Sequence, residues 1–175
     1  MRDVNSRPSG AMLTAEQIIE TLQLKPHPEG GFFSETFRAE PLPFALPKRG
    51  ERSASTAIYF LLRTRDFSAL HVVESDEVWH HYAGDALELH CFDPARRHRR
   101  VLLGADLLAG QRPQHVVQRG ELQAARVAAG SHGFVLCGCT VAPGFDFADF
   151  RMPPRAELCG LLPEHAALVN ELTRG

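Results

Sequence analysis

Four titratable side chains lie close together in the segment 71–84, which reads HVVESDEVWHHYAG. They are His71, Glu77, His80 and His81. An imidazole titrates near neutral pH and a carboxylate can orient it, so this pairing suits the removal of a proton next to a carbonyl group. Two neutral imidazoles and a carboxylate also suit Fe(II), Mn(II), Ni(II) or Zn(II) with open positions for a substrate. The residue types leave both chemistries open.

The alternation of side chains along predicted strands indicates which of these residues can meet. Glu77, Trp79 and His81 share one face of a strand over 77–83, and His80 lies on the other face. The preceding strand places His71 and Val73 on one face, and Gln123 is the facing position in a later hairpin. We therefore expect one cavity that holds the polar side chains of His71, Glu77, His81 and Gln123, with Trp79 and Val73 in its walls.

Short strands separated by turn signals must position these residues. They are predicted over 32–38, 55–62, 69–74, 77–83, 86–92, 101–104, 114–118, 121–128 and 134–142. This spacing is typical of a β-sandwich or barrel. A helix is expected to begin at Thr14, where Thr14 and Gln17 form a capping-box pattern, and to end near Leu24. A second helical stretch is predicted over 161–172, and the proline-rich segment 39–53 predicts a surface loop or a lid.

Further polar side chains are candidate contacts for a substrate. In the strand 32–38, alternation places Glu35 with Phe33 and Phe37 on one face and Arg38 on the other. Glu35 and Arg38 could rim the mouth of a barrel, where Arg38 would meet an anionic ligand. The preceding Pro-Glu-Gly-Gly turn is then either purely structural or part of that rim. Tyr59 is either a core residue or a proton donor.

Composition narrows the class of protein. The 175 residues, of which 44% are hydrophobic and 23% charged, predict a single domain over 13–175 after a mobile polar tail over 1–12. A net charge of -2 gives no field that would attract nucleic acid. We find no apolar run long enough for a membrane span and no secretory signal. The four cysteines lack zinc-knuckle spacing and are predicted to be reduced, so we expect a cytoplasmic protein.

The same residues resemble the signatures of the cupin barrels. His71, Glu77 and Gly84 match the first signature, but Val73 replaces its second histidine. In the second signature Gly120 is kept, and Gln123 stands where a metal-binding histidine is usual. Over most of its length the chain is similar to the Cupin-5 family of uncharacterised cupin-like proteins, in the segments 26–38, 56–62, 67–90, 106–117, 123–126 and 138–150.

The resemblance implies a mainly β fold, the double-stranded β-helix or cupin jelly roll, with short flanking helices and usually paired into homodimers. It implies no established activity. The barrel is similar to those of sugar-nucleotide epimerases, which use a histidine base and no metal. Likeness of fold does not fix function.

Three functions follow as hypotheses for a small-molecule pocket in the barrel. The first is a metal-independent isomerase or epimerase of a sugar-like or carbonyl substrate, with His71 as base and Glu77 as its orienting partner. The second is a metal-dependent enzyme, for which the possible ligands are His71, Glu77, His81 and Gln123. The third is a non-catalytic binding protein, which Val73 and Gln123 favour. The candidate substrate-binding residues are Arg38, Glu35, Tyr59, Trp79, His81 and Gln123.

Overall fold

Antiparallel strands make up most of the fold. The computed structural model describes residues 13–174, so the predicted tail over 1–12 lies outside the described residues. In this part of the chain the strands are β1 (Lys25–Pro26), β2 (Phe32–Arg38), β3 (Thr56–Arg63), β4 (Phe67–Val73), β5 (Asp76–Gly84), β6 (Leu87–Phe92), β7 (His98–Leu103), β8 (Gln114–Val117), β9 (Leu122–Val127), β10 (Phe134–Ala142) and β11 (Phe150–Arg151). Every predicted strand is present, and the two-residue strands β1 and β11 are additional.

The strands form two sheets that face each other. One sheet has the order β1-β2-β3-β10-β5-β8, and the other has the order β11-β4-β9-β6-β7. Phe60 and Trp79 from the first sheet and Leu89 and Ala125 from the second belong to one buried cluster. Apolar side chains that alternate along each strand thus fill the space between the sheets. The predicted jelly roll is confirmed.

The N-terminal helix α1 (Ala15–Thr21) covers the outer face of the first sheet. It begins as predicted, because the Gln17 backbone N–H donates to the Thr14 hydroxyl at 3.2 Å and the Thr14 N–H donates to the Gln17 side chain at 3.0 Å. These two bonds satisfy donors that the first turn leaves free. Ile18 then packs against Leu61 and Phe134.

The C-terminal segment covers the outer face of the second sheet. It consists of helix α2 (Arg155–Leu161), a 3₁₀ turn (Pro163–His165) and helix α3 (Ala166–Glu171). The prediction of one helical stretch over 161–172 is therefore wrong at its start. Leu162 leaves the helical region at φ -126° and ψ 58°, because a following proline disfavours the α conformation. No helix in the described part of the chain is long and apolar enough to cross a membrane.

A β-bulge in β2 changes which of its side chains face the barrel. Glu35 pairs with Ile58, but the next paired residue is Phe37, so Thr36 is the extra residue. The expected alternation is reversed beyond this point. Arg38 joins Phe33 and Glu35 on the inner face, and Phe37, which was predicted to share that face, is 54% exposed.

Candidate functional site

One end of the barrel is an enclosed cavity of about 260 Å³. Its buried polar end is formed by His27, Glu29, His71, Glu77 and Cys139. Apolar side chains form a belt around its middle, namely Phe33, Ile58, Phe60, Val73, Val141 and Phe145. Glu35, Arg38, Asp146 and Phe147 lie at the more exposed mouth. A concave apolar pocket with a few converging polar groups is the usual form of a small-molecule site.

His71 presents an unprotonated nitrogen to the buried end of the cavity. Its ring is 2% exposed, and Nδ1 lies 2.8 Å from the Ala69 carbonyl oxygen. A carbonyl only accepts, so Nδ1 carries the proton and Nε2 keeps its lone pair. Burial lowers the pKa of His71, against the opposing effect of the Glu77 carboxyl. The imidazole is therefore a neutral base.

Glu77 is fixed by a chain of buried hydrogen bonds. The Gln123 side-chain nitrogen donates to its carboxyl oxygen at 2.5 Å, and the Gln123 oxygen accepts from the Trp79 indole N–H at 2.9 Å. Burial raises the pKa of Glu77, while the imidazolium form of His71 lowers it and the ionised form of Glu29 raises it further. The Cys139 thiol lines the same end of the cavity, and burial raises its pKa well above the ordinary value.

A second buried acid, Glu29, faces His71 from the opposite wall. Its Oε1 accepts from the Ser68 hydroxyl at 2.9 Å, and its Oε2 lies 3.4 Å from His71 Nε2 and 3.5 Å from His27 Nδ1. Burial raises the pKa of Glu29 to about 8, although Ser68 and Arg174 act in the opposite direction. Glu29 is thus a neutral carboxylic acid at neutral pH.

His27 completes this end of the cavity. Its Nδ1 accepts from the Glu29 backbone N–H at 3.3 Å, and its ring stacks on Phe147 with 6.3 Å between centroids. Burial lowers the pKa of His27 to about 4, and the charges of His71 and Arg174 lower it further. The ring is therefore neutral and serves as a wall.

Two glycines allow Glu29 to reach the interior. Gly30 has φ +123°, and a Cβ atom there would lie 2.0 Å from the Phe67 carbonyl oxygen. Gly31 has φ +68°, and its Cβ would lie 2.5 Å from the Leu61 carbonyl oxygen. Only glycine combines a positive φ with such a close approach between backbones. The turn therefore presses against β3 and β4 and directs Glu29 inward.

The sequence-predicted residues fall into three groups. Glu35 and Arg38 line the cavity with His71 and Glu77, whereas Gln123 and Trp79 stand behind it as supports. His81 and Tyr59 are not among the lining residues.

The expectation that His81 shares the cavity is wrong because of depth along the strand. His81 has the predicted inward face but lies four residues beyond Glu77 in β5, roughly 13 Å along the strand. Trp79 fills the barrel between them, and the His81 ring bonds to the Asp85 carbonyl instead, at 3.1 Å. Tyr59 faces the outer cluster around α1, and its ring packs edge-on against Tyr82.

Sequence reasoning missed Glu29, His27 and Cys139 as cavity residues. The available signal for Glu29 was an acid that follows two prolines and precedes two glycines in a turn. The sequence predicts only that Cys139 is reduced, and it gives no signal for His27. None of these three residues lies in the strands from which the sequence predicts the cavity, which are those that carry His71, Glu77 and Gln123.

The proposed metal ligands do not fit a metal ion. Among residues 13–174, no group of three or more His, Cys, Asp or Glu side chains is arranged to hold one. His81 is too far along its strand, and Val73 offers no donor atom. The Gln123 oxygen is bound to Trp79, and its amide nitrogen, which is no metal ligand, faces Glu77.

A jelly roll with a polar cavity at one end of the barrel belongs to the cupin class of proteins. The profile of the Cupin_5 family, described as Cupin superfamily (DUF985), matches residues 16–153, so the chain belongs to this family. The resemblance found in the sequence is confirmed. Among curated proteins, none matches the chain.

Solved structures agree with this assignment. A hypothetical protein from Leishmania major is 38% identical with a TM-score of 0.87, over 93% of this chain and 100% of that chain. Protein SO0799 from Shewanella oneidensis is 37% identical with a TM-score of 0.84, over 93% and 99% of the two chains. A cupin 2 conserved barrel domain protein from Rhodopseudomonas palustris, 15% identical with a TM-score of 0.50 over 84% and 83%, supports the fold alone.

The glycine turn gives a prediction about stability. We expect Gly30→Ala to lower the free energy of unfolding by roughly 3 kcal/mol or more, because it combines backbone strain with a clash against the Phe67 carbonyl. The matched control is Gly110→Ala, which has φ +80° but open space around its Cβ and should cost about 1 kcal/mol. Urea unfolding of both variants measures the difference, and equal losses would contradict the close approach.

The buried acid gives a prediction about pH. In the folded protein the pKa of Glu29 is about 8 instead of 4.5, so the free energy of unfolding falls as pH rises between these values. The pKa of His27 is about 4 instead of 6.5, so its contribution rises with pH between about 4 and 6.5. From pH 6.5 to 8, therefore, His27 no longer opposes the fall in the free energy of unfolding that Glu29 causes.

We compare the free energy of unfolding of Glu29→Gln with that of the wild type. As the pH rises from 6.5 to 8, we expect this difference to change by about 1–2 kcal/mol in favour of the variant. The amide keeps an acceptor for Ser68 but has no proton to lose. Urea unfolding at a series of pH values measures this, with the exposed Glu40→Gln as the control. Parallel pH profiles of wild type and Glu29→Gln would show that Glu29 is ionised in the folded protein.

Proposed function

We propose that this cupin is an enzyme that moves a proton next to the carbonyl group of a small molecule, as an isomerase or epimerase does. The observation that carries the proposal is the pair of His71 Nε2 and Glu29 Oε2, which lie 3.4 Å apart at the buried end of the cavity. Burial lowers the pKa of His71 and raises that of Glu29 to about 8. A neutral base and a neutral acid with opposite pKa shifts are typical of acid–base catalysis.

The pair can carry a complete proton transfer. His71 Nε2 takes the proton from the carbon next to the carbonyl, and the electron pair of that C–H bond forms a carbon–carbon double bond. The carbonyl π electrons move to oxygen, which takes the proton of Glu29 Oε2 and gives a neutral enol. The imidazolium and the carboxylate arise together, so the buried cavity gains no net charge.

The return of the proton decides the product. If the enol turns over in the cavity, His71 delivers the proton to the opposite face of the same carbon, the enol O–H proton returns to Glu29, and the epimer forms. Where that carbon carries a hydroxyl, delivery to the former carbonyl carbon gives the isomer, while the hydroxyl proton returns to Glu29. Both routes restore the neutral acid and base.

Glu77 supports the base through its charge. The Ala69 carbonyl orients the ring, a role that the sequence assigned to Glu77. The Glu77 carboxyl instead opposes the effect of burial on the pKa of His71, so it favours the imidazolium when that forms. Gln123 holds Glu77 in place and does not line the cavity, so we assign it a positioning role in place of the expected substrate contact.

A non-catalytic small-molecule binding protein is the second candidate. Val73 and Gln123 support it, because each occupies a position where a cupin with a metal carries a histidine. A metal-dependent enzyme has less support, because the donor set described above does not converge. Homodimer formation and a cytoplasmic location stay predictions of the sequence.

Deuterium exchange tests the proposed reaction. We expect the wild type to exchange the α-hydrogen of acetoin or 2-hydroxyacetophenone in D₂O near pH 7 faster than buffer does, as followed by proton NMR. His71→Ala removes the base and should lower the rate by about 100-fold or more. Binding of both ketones is measured in parallel by ligand-observed NMR.

The control is His80→Ala, which removes a histidine of the other sheet that does not line the cavity. Its rate should equal that of the wild type. Full exchange in His71→Ala would refute the assignment of the base. Binding without exchange in the wild type would identify a binding protein, and exchange that a chelator abolishes and a divalent metal restores would identify a metal-dependent enzyme.

A further inference from the structure

Arg38 at the mouth of the cavity donates three of its five guanidinium N–H groups to the protein itself. Its Nε donates to Glu35 Oε1 at 2.9 Å and its Nη2 donates to Glu35 Oε2 at 2.7 Å, which forms a bidentate pair. Its Nη1 donates to the Phe145 carbonyl at 3.2 Å. An anionic ligand that binds the Nε–Nη2 edge of Arg38 would have to displace Glu35, because both carboxylates compete for the same pair of donors.

The charges around the mouth also disfavour an anion. Glu35 neutralises Arg38, and Asp146, which lines the same opening, adds a further negative charge. The side chains of Arg38 and Glu35 are 45% and 38% exposed, so solvent weakens this field without removing it. The side chains that line the mouth therefore carry one negative charge in excess, which Arg52, close to Asp146 but outside the lining, partly offsets.

The belt between the mouth and the buried end offers few polar partners. Phe33, Phe60 and Phe145 line it, and the nearby Thr56 hydroxyl already accepts from the Phe145 N–H at 2.9 Å. A sugar would leave hydroxyl groups unpaired here, and each buried unpaired group costs about 1–3 kcal/mol. An apolar body is the chemistry that this belt accommodates.

We propose that Glu35 determines ligand specificity by occupying Arg38, so that the cavity rejects anions and takes uncharged carbonyl compounds with an apolar body. This reverses the expectation that Arg38 binds an anionic ligand. The inference rests on the proposed function only in placing the ligand in this cavity. Its test measures binding, so a protein that binds without catalysing exchange would refute the proposed reaction and leave this inference intact.

Two probes of the same shape and different charge test the proposal. They are 4-acetylbenzamide, which is neutral, and 4-acetylbenzoate, which is anionic. We expect the wild type to bind the amide at least about tenfold more tightly, as measured by calorimetry or ligand-observed NMR at low salt. Glu35→Gln frees the Arg38 guanidinium and should change the ratio of the two dissociation constants by about tenfold or more in favour of the benzoate.

Two further variants separate this effect from a general change of charge. Glu40→Gln removes the same charge from an exposed residue outside the cavity and should leave the ratio unchanged. The gain of Glu35→Gln should disappear in the double variant Glu35→Gln/Arg38→Gln. Any of three results would overturn the proposal. The wild type could bind both probes with equal affinity, or the ratio of dissociation constants could stay unchanged in Glu35→Gln. The third is that neither probe binds to wild type or variant at millimolar concentration.

Discussion

The close approach of the turn over 27–31 to the barrel sheets is the constraint on which the site depends. Gly30 and Gly31 bring the chain so near to neighbouring carbonyls that no side chain fits there. The consequence is that Glu29 enters the barrel, where the Ser68 hydroxyl is the only hydrogen-bond partner of its carboxyl among residues 13–174, and Arg174 acts on it through charge. A carboxyl group that is buried in this way is stable as the neutral acid. Backbone packing at Gly30 and Gly31 therefore places the acid that faces His71.

The barrel combines a filled half with a hollow half, and a hydrogen-bonded chain separates them. Trp79 fills the core, its indole N–H bonds to Gln123, and Gln123 bonds to Glu77 at the floor of the cavity. Each buried polar atom in this chain has a partner, so the chain is rigid and costs little unsatisfied polarity. Glu77 can lie at the floor of the cavity because Gln123, which bonds to Trp79 in the core, supplies its hydrogen-bond partner.

Strand alternation predicted the parts of the site that lie in regular sheet. His71 and Gln123 are paired directly across β4 and β9, as the sequence indicated, and Glu77 lines the same cavity. Alternation gives the face of a residue but not its depth, which is why His81 was misplaced. A single extra residue in β2 reversed the face of Arg38, and no feature of composition marks such a bulge. Glu29 depends on contacts between distant segments, which local patterns do not contain.

At the mouth of the cavity the backbone is held in place, and one exposed side chain can rotate. Asp149 accepts hydrogen bonds from Arg49 and Arg52 at 2.6–3.0 Å, which ties the loop over 39–53 to the segment that carries Phe147. Because Arg49 and Arg52 lie in this loop, which the sequence predicts as a surface loop or a lid, their buried ion pairs with Asp149 fix its position. Phe147 itself is 55% exposed and covers the His27 ring. Rotation of an exposed side chain takes picoseconds to nanoseconds, whereas loop opening takes far longer. The Phe147 ring can therefore move without a change in the backbone, whereas the loop beside it is held by its hydrogen bonds to Asp149.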